Sequence, residues 1–487
     1  MGRIDGAKAV TFIVAAIVAA GCRRGEVKAT LVFENVTLID GTDRGAQPNM
    51  SVAIDGDKIA AVGPTARIKA PAAANRVDAT GLYLIPGLWD NHVHSYAYGE
   101  RSFALFLANG VTTIRDVGGD LNEVGWLRQE SQYGRLLGPR MLIAGPVLDA
   151  PEIVRTFPRG RVAAPTPEAA VRVVDSLANL QVDVIKVHSM TPRAAYFAIL
   201  ARAKERGLRV VGHIPDSVSA AEAVDSGQRT IEHDFRLAAA NSTRGEAISA
   251  WTRGEMKRYL DRVGKDFKIW EYFAIRVAGE DSAWMAYDSA TASRFAARSA
   301  GKAVWFDPTL MVMQTQFRKN EPMVRNLTEL RFAPKAAREF EDGIPAAAAP
   351  TPAMIEAGRR QYEYVKLAFR ELVRARAKFL AGTDTPVMPL VPGFSLHREL
   401  ELLVDLGLTP LEALQAASRN GAQAMGRDDL GTVEPGKSAD LVLLVADPLE
   451  NIANTKSIQT VLVRGRLLDR LTLDRMLRDA EAYAKQN

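Results

Sequence analysis

Residues 83–94 read YLIPGLWDNHVH, and the rest of the chain takes its meaning from them. Apolar side chains run into a turn-prone Pro86-Gly87, then continue to a polar end that closes on His92-Val93-His94. This is the pattern of a buried strand whose last residues emerge at a functional surface. Side chains two apart in a strand share a face, so His92 and His94 can present two imidazoles to one metal. Two polar residues that merely end a strand fit the same letters.

Seven further short apolar segments follow, with helical stretches between them. They are VTTIRDVG (111–118), RMLIAGPVL (140–148), VDVIKVHS (182–189), LRVVGHI (208–214), RTIEH (229–233), AVWFDPTL (303–310) and KFLAGTD (378–384). Strand–helix alternation implies a parallel sheet, and eight repeats predict a (β/α)8 TIM barrel over about residues 81–425. Thr409-Pro410-Leu411-Glu412 is a capping box with proline at the first helical position.

Outside the barrel, residues 23–80 and 426–470 read as β-structure. SVAIDGDKIAAVG (51–63) is two strands about an Asp-Gly turn, and TVLVRGRLL (460–468) turns at Arg464-Gly465. Neither segment suffices for a stable sheet, so the two are expected to pair into one small composite β-sandwich domain. Residues 471–487 are expected to form a closing helix. The connection at about 235–302 is long and holds Trp251, Trp270 and Trp284, which suit a small core of its own or a pocket wall. A long connection at a barrel mouth is also a lid candidate. The segment 311–377, with its run Ala346–Pro350, reads as loop with helices.

Of 487 residues, 47% are hydrophobic and 24% charged, a globular mixture that excludes disorder for most of the chain. The net charge of +5 is small, with no long basic run, so nucleic acid is not an expected partner. A single cysteine excludes a disulfide framework and a thiolate zinc cluster. That cysteine, Cys22, ends MGRIDGAKAVTFIVAAIVAAGC, which has a short basic region and a 13-residue apolar run, the layout of an export signal. Ala19-Ala20-Gly21-Cys22 resembles a lipoprotein cleavage box. It implies an exported bacterial lipoprotein on the periplasmic side of a membrane or at the cell surface, tethered through Cys22 by lipid alone. An ordinary cleaved signal is the alternative.

The six histidines sharpen the reading. His213 ends the fifth segment, His233 the sixth and Asp384 the eighth. In a barrel these ends converge on one mouth, where active sites of that fold lie. Lys186 ends the fourth. It can face outward, pair with an acid, or take up carbon dioxide as a neutral amine to become a carbamate. His188, two residues on, can contact substrate or bond nearby groups. Arg193 is a candidate for a substrate carboxylate. Arg115 beside Asp116 suggests a local ion pair, and His397, near a helix start, reads as structural.

These motifs in this order resemble the amidohydrolase superfamily, in its prolidase-like branch of imidazolonepropionase-related hydrolases and metal-dependent Xaa-Pro dipeptidases. PGLWDNHVHS, GVTTIRDVGG, DVIKVHS, VVGHI, TIEH, LAGTD, SLHRELELLVDLGLTPLEALQAAS and LGTVEPGKSADLVLL carry the resemblance over about residues 29–470. It implies two divalent metal ions, with zinc the first candidate. His92, His94 and Asp384 would hold one, His213 and His233 the other, and a carboxylated Lys186 would bridge them. A metal-bridging hydroxide would attack the carbonyl of an amide or peptide bond, with Asp384 moving the proton. The implied substrate is a dipeptide or N-acyl amino acid. Ester, lactone or phosphotriester hydrolysis is the alternative on the same centre, and a non-catalytic binding relative the more distant one. A homo-oligomer is compatible with all three.

Overall fold

A computed structural model of the chain describes residues 26–95, 98–233, 236–316, 318, 321–335, 351–387 and 389–486. The export signal with Cys22 and the run Ala346–Pro350 lie outside the described residues. Among those described, no helix is long and apolar enough to cross a membrane.

Both chain ends contribute to one eight-stranded sheet. Its N-terminal strands are β1 (Leu31–Ile39), β2 (Ala46–Asp55), β3 (Lys58–Pro64), β4 (Asn75–Asp78) and β5 (Tyr83–Pro86). Near the other end come β16 (Leu441–Leu444), β17 (Ile458–Val463) and β18 (Arg466–Asp469). The order is β18-β17-β16-β5-β1-β2-β3, with β4 also on β1. β5 joins the two ends: it runs parallel to β1 and antiparallel to β16. Asp55-Gly56 turns β2 into β3, with Gly56 in the left-handed region (φ 61°) that favours glycine.

The middle holds ten strands in two parallel sheets. β6 (Leu88–Val93), β7 (Val111–Asp116) and β8 (Arg140–Ile143) form one. The other contains β9 (Val147–Asp149), β10 (Arg161–Ala163), β11 (Val184–Val187), β12 (Arg209–Gly212), β13 (Thr230–Glu232), β14 (Trp305–Asp307) and β15 (Lys378–Phe379), in the order β10-β9-β11-β12-β13-β14-β15. Helices alternate with these strands, which makes the protein a TIM-barrel-like α/β structure. Backbone hydrogen bonds at both edges of the three-stranded sheet reach residues flanking strands of the other: Asp384 N to His92 O at 2.8 Å, beyond β15, and Asp183 N to Ile143 O at 2.9 Å, just before β11. The capping box at Thr409–Glu412 opens the helix Pro410–Ala416 as its sequence dictates.

Several expectations need correction. YLIPGLWDNHVH is two strands in different sheets, divided at Gly87. A Cβ there would lie 2.0 Å from Thr112 Oγ1, so only glycine lets the chain pass from one sheet to the next. RMLIAGPVL likewise divides into β8 and β9 at Gly145, whose φ is 68°. Apolar runs do not reveal such breaks, because both pieces are buried. The short β10 has no counterpart among the eight sequence segments. The connection after β13 is helical throughout its longer elements: Gly245–Val263, Ile269–Trp284 and Ser289–Ala300. Only one of its tryptophans is core. Trp284 is buried and stacked on Tyr364 with ring centroids 6.2 Å apart, whereas Trp251 and Trp270 are exposed.

Candidate metal centre

β6 delivers His92, which is fully buried, and His94 follows just past its end. His92 Nδ1 lies 2.8 Å from Glu232 Oε2. Burial alone would push the Glu232 carboxyl upward, but Arg115 and His92 outweigh it and hold it well below its usual range. An ionised carboxylate only accepts, so the ring's proton sits on Nδ1 and Nε2 carries the lone pair. His94 reaches the same state by another route: its Nδ1 donates to the Gly118 carbonyl at 2.9 Å.

Both Nε2 atoms then face Asp384 Oδ1, each at 3.3 Å. Burial would raise the Asp384 carboxyl; positive charge on the imidazoles of His92, His94 and His233, or a cation between them, is what holds it well below the usual carboxylate range. One ligand atom from each of His92, His94 and Asp384 lies within 4.8 Å of the others. Three lone-pair atoms so close repel unless both rings gain a second proton or one cation sits between them. Two imidazole nitrogens and a carboxylate oxygen are the set that zinc-like divalent ions take.

His233 follows β13, with ring centroid 4.8 Å from that of His92. Its Nδ1 lies 2.5 Å from Thr309 Oγ1, whose own proton goes to the Pro308 carbonyl. The hydroxyl must therefore accept, and again Nε2 carries the lone pair. His213 follows β12, 4.9 Å from the His233 ring, with Ser189 Oγ 2.8 Å from its Nδ1. Burial pulls both imidazoles well below their usual value, so both rings are neutral near pH 7. His233 and Asp384 have positive φ (63° each), a left-handed backbone that costs about 1–3 kcal/mol and is typical of positions fixed for function.

Lys186 lies in β11, is 1% exposed, and its Nζ has no hydrogen-bond partner among the described residues. Burial pulls the ammonium down to about 8, against the opposing pull of Glu232 and Asp384. Gly212 makes the room: a Cβ there would stand 2.9 Å from Lys186 Cδ and 2.2 Å from Val187 O. All six ligand candidates named from the sequence thus converge.

The remaining candidates divide. His188 packs its ring 4.1 Å from that of His213 and sets Nδ1 2.8 Å from Asp149 Oδ2, while burial pulls it down to about 4. Arg193 does not point into the centre: it is half-exposed and paired with Glu222. Arg115 and Asp116 do not pair with each other, because adjacent strand residues point to opposite faces. Arg115 donates to Glu232 Oε1 at 2.9 Å and to Asp307 Oδ2 at 3.2 Å, while Asp116 accepts from Ser95 N at 2.8 Å. His397 is buried with Nδ1 2.9 Å from Thr455 Oγ1, a structural contact.

Sequence reasoning missed Glu232, Ser189 and Thr309, the side chains that orient rings, and Asp307, which shares Arg115 with Glu232. A charged residue inside an otherwise apolar strand, as in TIE and WFD, was the available signal.

The chain is 24% identical over 458 residues to the imidazolonepropionase of Streptomyces griseus subsp. griseus, covering 89% of this chain and 95% of that one. Its fold is shared by a bottromycin amidohydrolase (TM-score 0.71, 23% identity, 93% and 90% of the two chains). It is shared as well by a Xaa-Pro dipeptidase with bound methionine in its active site (TM-score 0.62, 18% identity, 90% and 99%). The model of the amidohydrolase family matches residues 83–468, a span that holds every candidate ligand, and the chain belongs to that family of hydrolases acting on C–N bonds.

Proposed function

We propose that the chain is a metal-dependent hydrolase of amide or peptide bonds in small substrates, of the dipeptide or N-acyl amino acid type. His92, His94 and Asp384 would hold one divalent ion and His213 and His233 a second, with zinc the natural candidate for this N,O set. The observation that carries this reading is the facing of two Nε2 lone pairs and one carboxylate oxygen, with both ring protons committed elsewhere.

Bound divalent metals supply Lewis acidity and lower the pKa of a water from about 15.7 to about 7. The protein's own groups do the rest. Asp384, ionised and beside both rings, accepts the proton released when water adds to the carbonyl carbon and returns it to the departing amine. Glu232, fixed by Arg115, keeps the His92 proton on Nδ1 through the cycle. Lys186 fits a carbamate. Its amine is buried, has no hydrogen-bond partner among the described residues and is shifted toward neutrality, and only the neutral amine adds carbon dioxide.

We propose likewise that the two parallel sheets close as one (β/α)8 barrel and that the eight-stranded sheet forms a composite β-sandwich domain. Residues 1–22 would direct export and Cys22 carry the lipid, which a mass gain on the mature N-terminus in cells would test. The activity is tested by assaying zinc-loaded protein on N-acyl amino acids and dipeptides beside lactones, aryl esters and phosphotriesters. Turnover of the amides supports the proposal. Turnover of esters or lactones alone contradicts it.

A further inference from the structure

The long connection after β13 reaches the centre through one face of one helix. In Ile269–Trp284, Tyr272 and Arg276 stand four residues apart, so both side chains leave the same side. Both are buried. Arg276 Nη1 donates to Ser189 Oγ at 3.1 Å, and the same oxygen lies 2.8 Å from His213 Nδ1. The Tyr272 hydroxyl donates to Asp216 Oδ2 at 2.9 Å. Asp216 N in turn donates to the Ser189 carbonyl at 2.7 Å.

The positions are regular. Ser189 stands three residues beyond Lys186, and Asp216 three beyond His213. One helix face therefore holds the two loops by which the chain leaves β11 and β12, and those loops are themselves tied together. A buried guanidinium needs acceptors. Here one of those acceptors is the hydroxyl that fixes a ring, so the burial of Arg276 and the orientation of His213 are one arrangement. His92 and His94 depend on no such support: their Nδ1 contacts are Glu232 at the end of β13 and the carbonyl of Gly118.

We propose that Arg276, seconded by Tyr272, is a positioning residue for the His213/His233 half of the centre, acting on the His213 ring. The connecting helix thereby sets the affinity of the second metal site without touching the first. The inference rests on the two-metal reading above and goes beyond it by giving the connection a role.

The test is zinc affinity, measured on the full-length protein by chelator competition together with zinc content per chain. The wild-type protein is expected to bind two equivalents. In Arg276→Met the weaker site should lose about 10-fold in affinity while the tighter site stays within about twofold. Arg276→Lys, which still donates to Ser189, should recover part of the loss. Tyr272→Phe should cost less than Arg276→Met. Ser189→Ala should reproduce Arg276→Met, and the double variant should lose no more than either single one. Unchanged affinity at both sites in Arg276→Met and Ser189→Ala overturns the proposal, as does equal weakening of both sites accompanied by a lower Tm. Wild-type protein that binds no zinc overturns the two-metal reading itself, a different result from two intact sites in the variants.

Discussion

The two halves of the centre are held by different materials. The His92/His94 half is oriented by a backbone carbonyl and by Glu232, a carboxylate clamped by Arg115 deep among the strands. The His213/His233 half is oriented by two hydroxyls, Ser189 and Thr309, on loops beyond the strand ends. Backbone and buried ion pairs admit little adjustment, whereas hydroxyls rotate and loops shift. The first half is therefore a rigid seat, and the second takes its geometry from what packs on the loops.

Substitutions can break this contrast, the most severe first. Asp384→Asn removes the carboxylate proposed to serve both the first site and the proton transfer. Turnover should fall by at least about 10³-fold with the fold intact, as read by steady-state kinetics beside circular dichroism. Lys186→Met should also abolish turnover, but its metal-free form should be more stable than wild type by about 1–3 kcal/mol, since it replaces a buried amine with no hydrogen-bond partner among the described residues. A denaturant melt of the apo proteins checks the sign, and a less stable variant would mean that Lys186 is satisfied without a carbamate.

Glu232→Gln should weaken the first metal about 10–100-fold. Thr309→Val should act on the second site alone and more mildly, because a neutral hydroxyl orients the ring less strongly than a carboxylate. Equal effects in a zinc titration would dissolve the distinction between the halves.

The smallest effect concerns a neighbouring buried acid. Glu399 accepts from Leu310 N and Met311 N, and burial raises its carboxyl to about 8. Its folded pKa lies above its unfolded value of about 4.3, so the folded protein binds the extra proton. Stability contributed by this group is present below pH 4.3 and declines as pH rises toward 8. Glu399→Gln should flatten that decline, by about 1–3 kcal/mol between pH 5 and 8 in denaturant melts, with turnover little changed.

Much of this was legible in the letters. The ligand candidates fall at strand ends, and strand ends in a parallel α/β fold gather at one face, so positions spread from 92 to 384 could be placed together from pattern alone. The Asp-Gly hairpin and the capping box at Thr409 are local chemistry and came out as written. What stayed hidden depends on tertiary partners. That Gly87 divides one apolar run between two sheets is decided by Thr112. That Arg115 serves Glu232 rather than its neighbour Asp116 follows from which face each strand buries. Arg193 looked available for substrate until Glu222, on another element, claimed it. The role of Arg276 had no signal at all, since its target is a serine 87 residues away.

The most direct measurement is metal content against turnover in the wild-type chain. Purified protein should carry or take up two equivalents of zinc or a similar ion, lose hydrolysis on chelation and regain it on reloading. Full turnover by protein stripped of metal would contradict the account at its root, because the facing lone pairs of His92, His94 and Asp384 would then have no cation to hold.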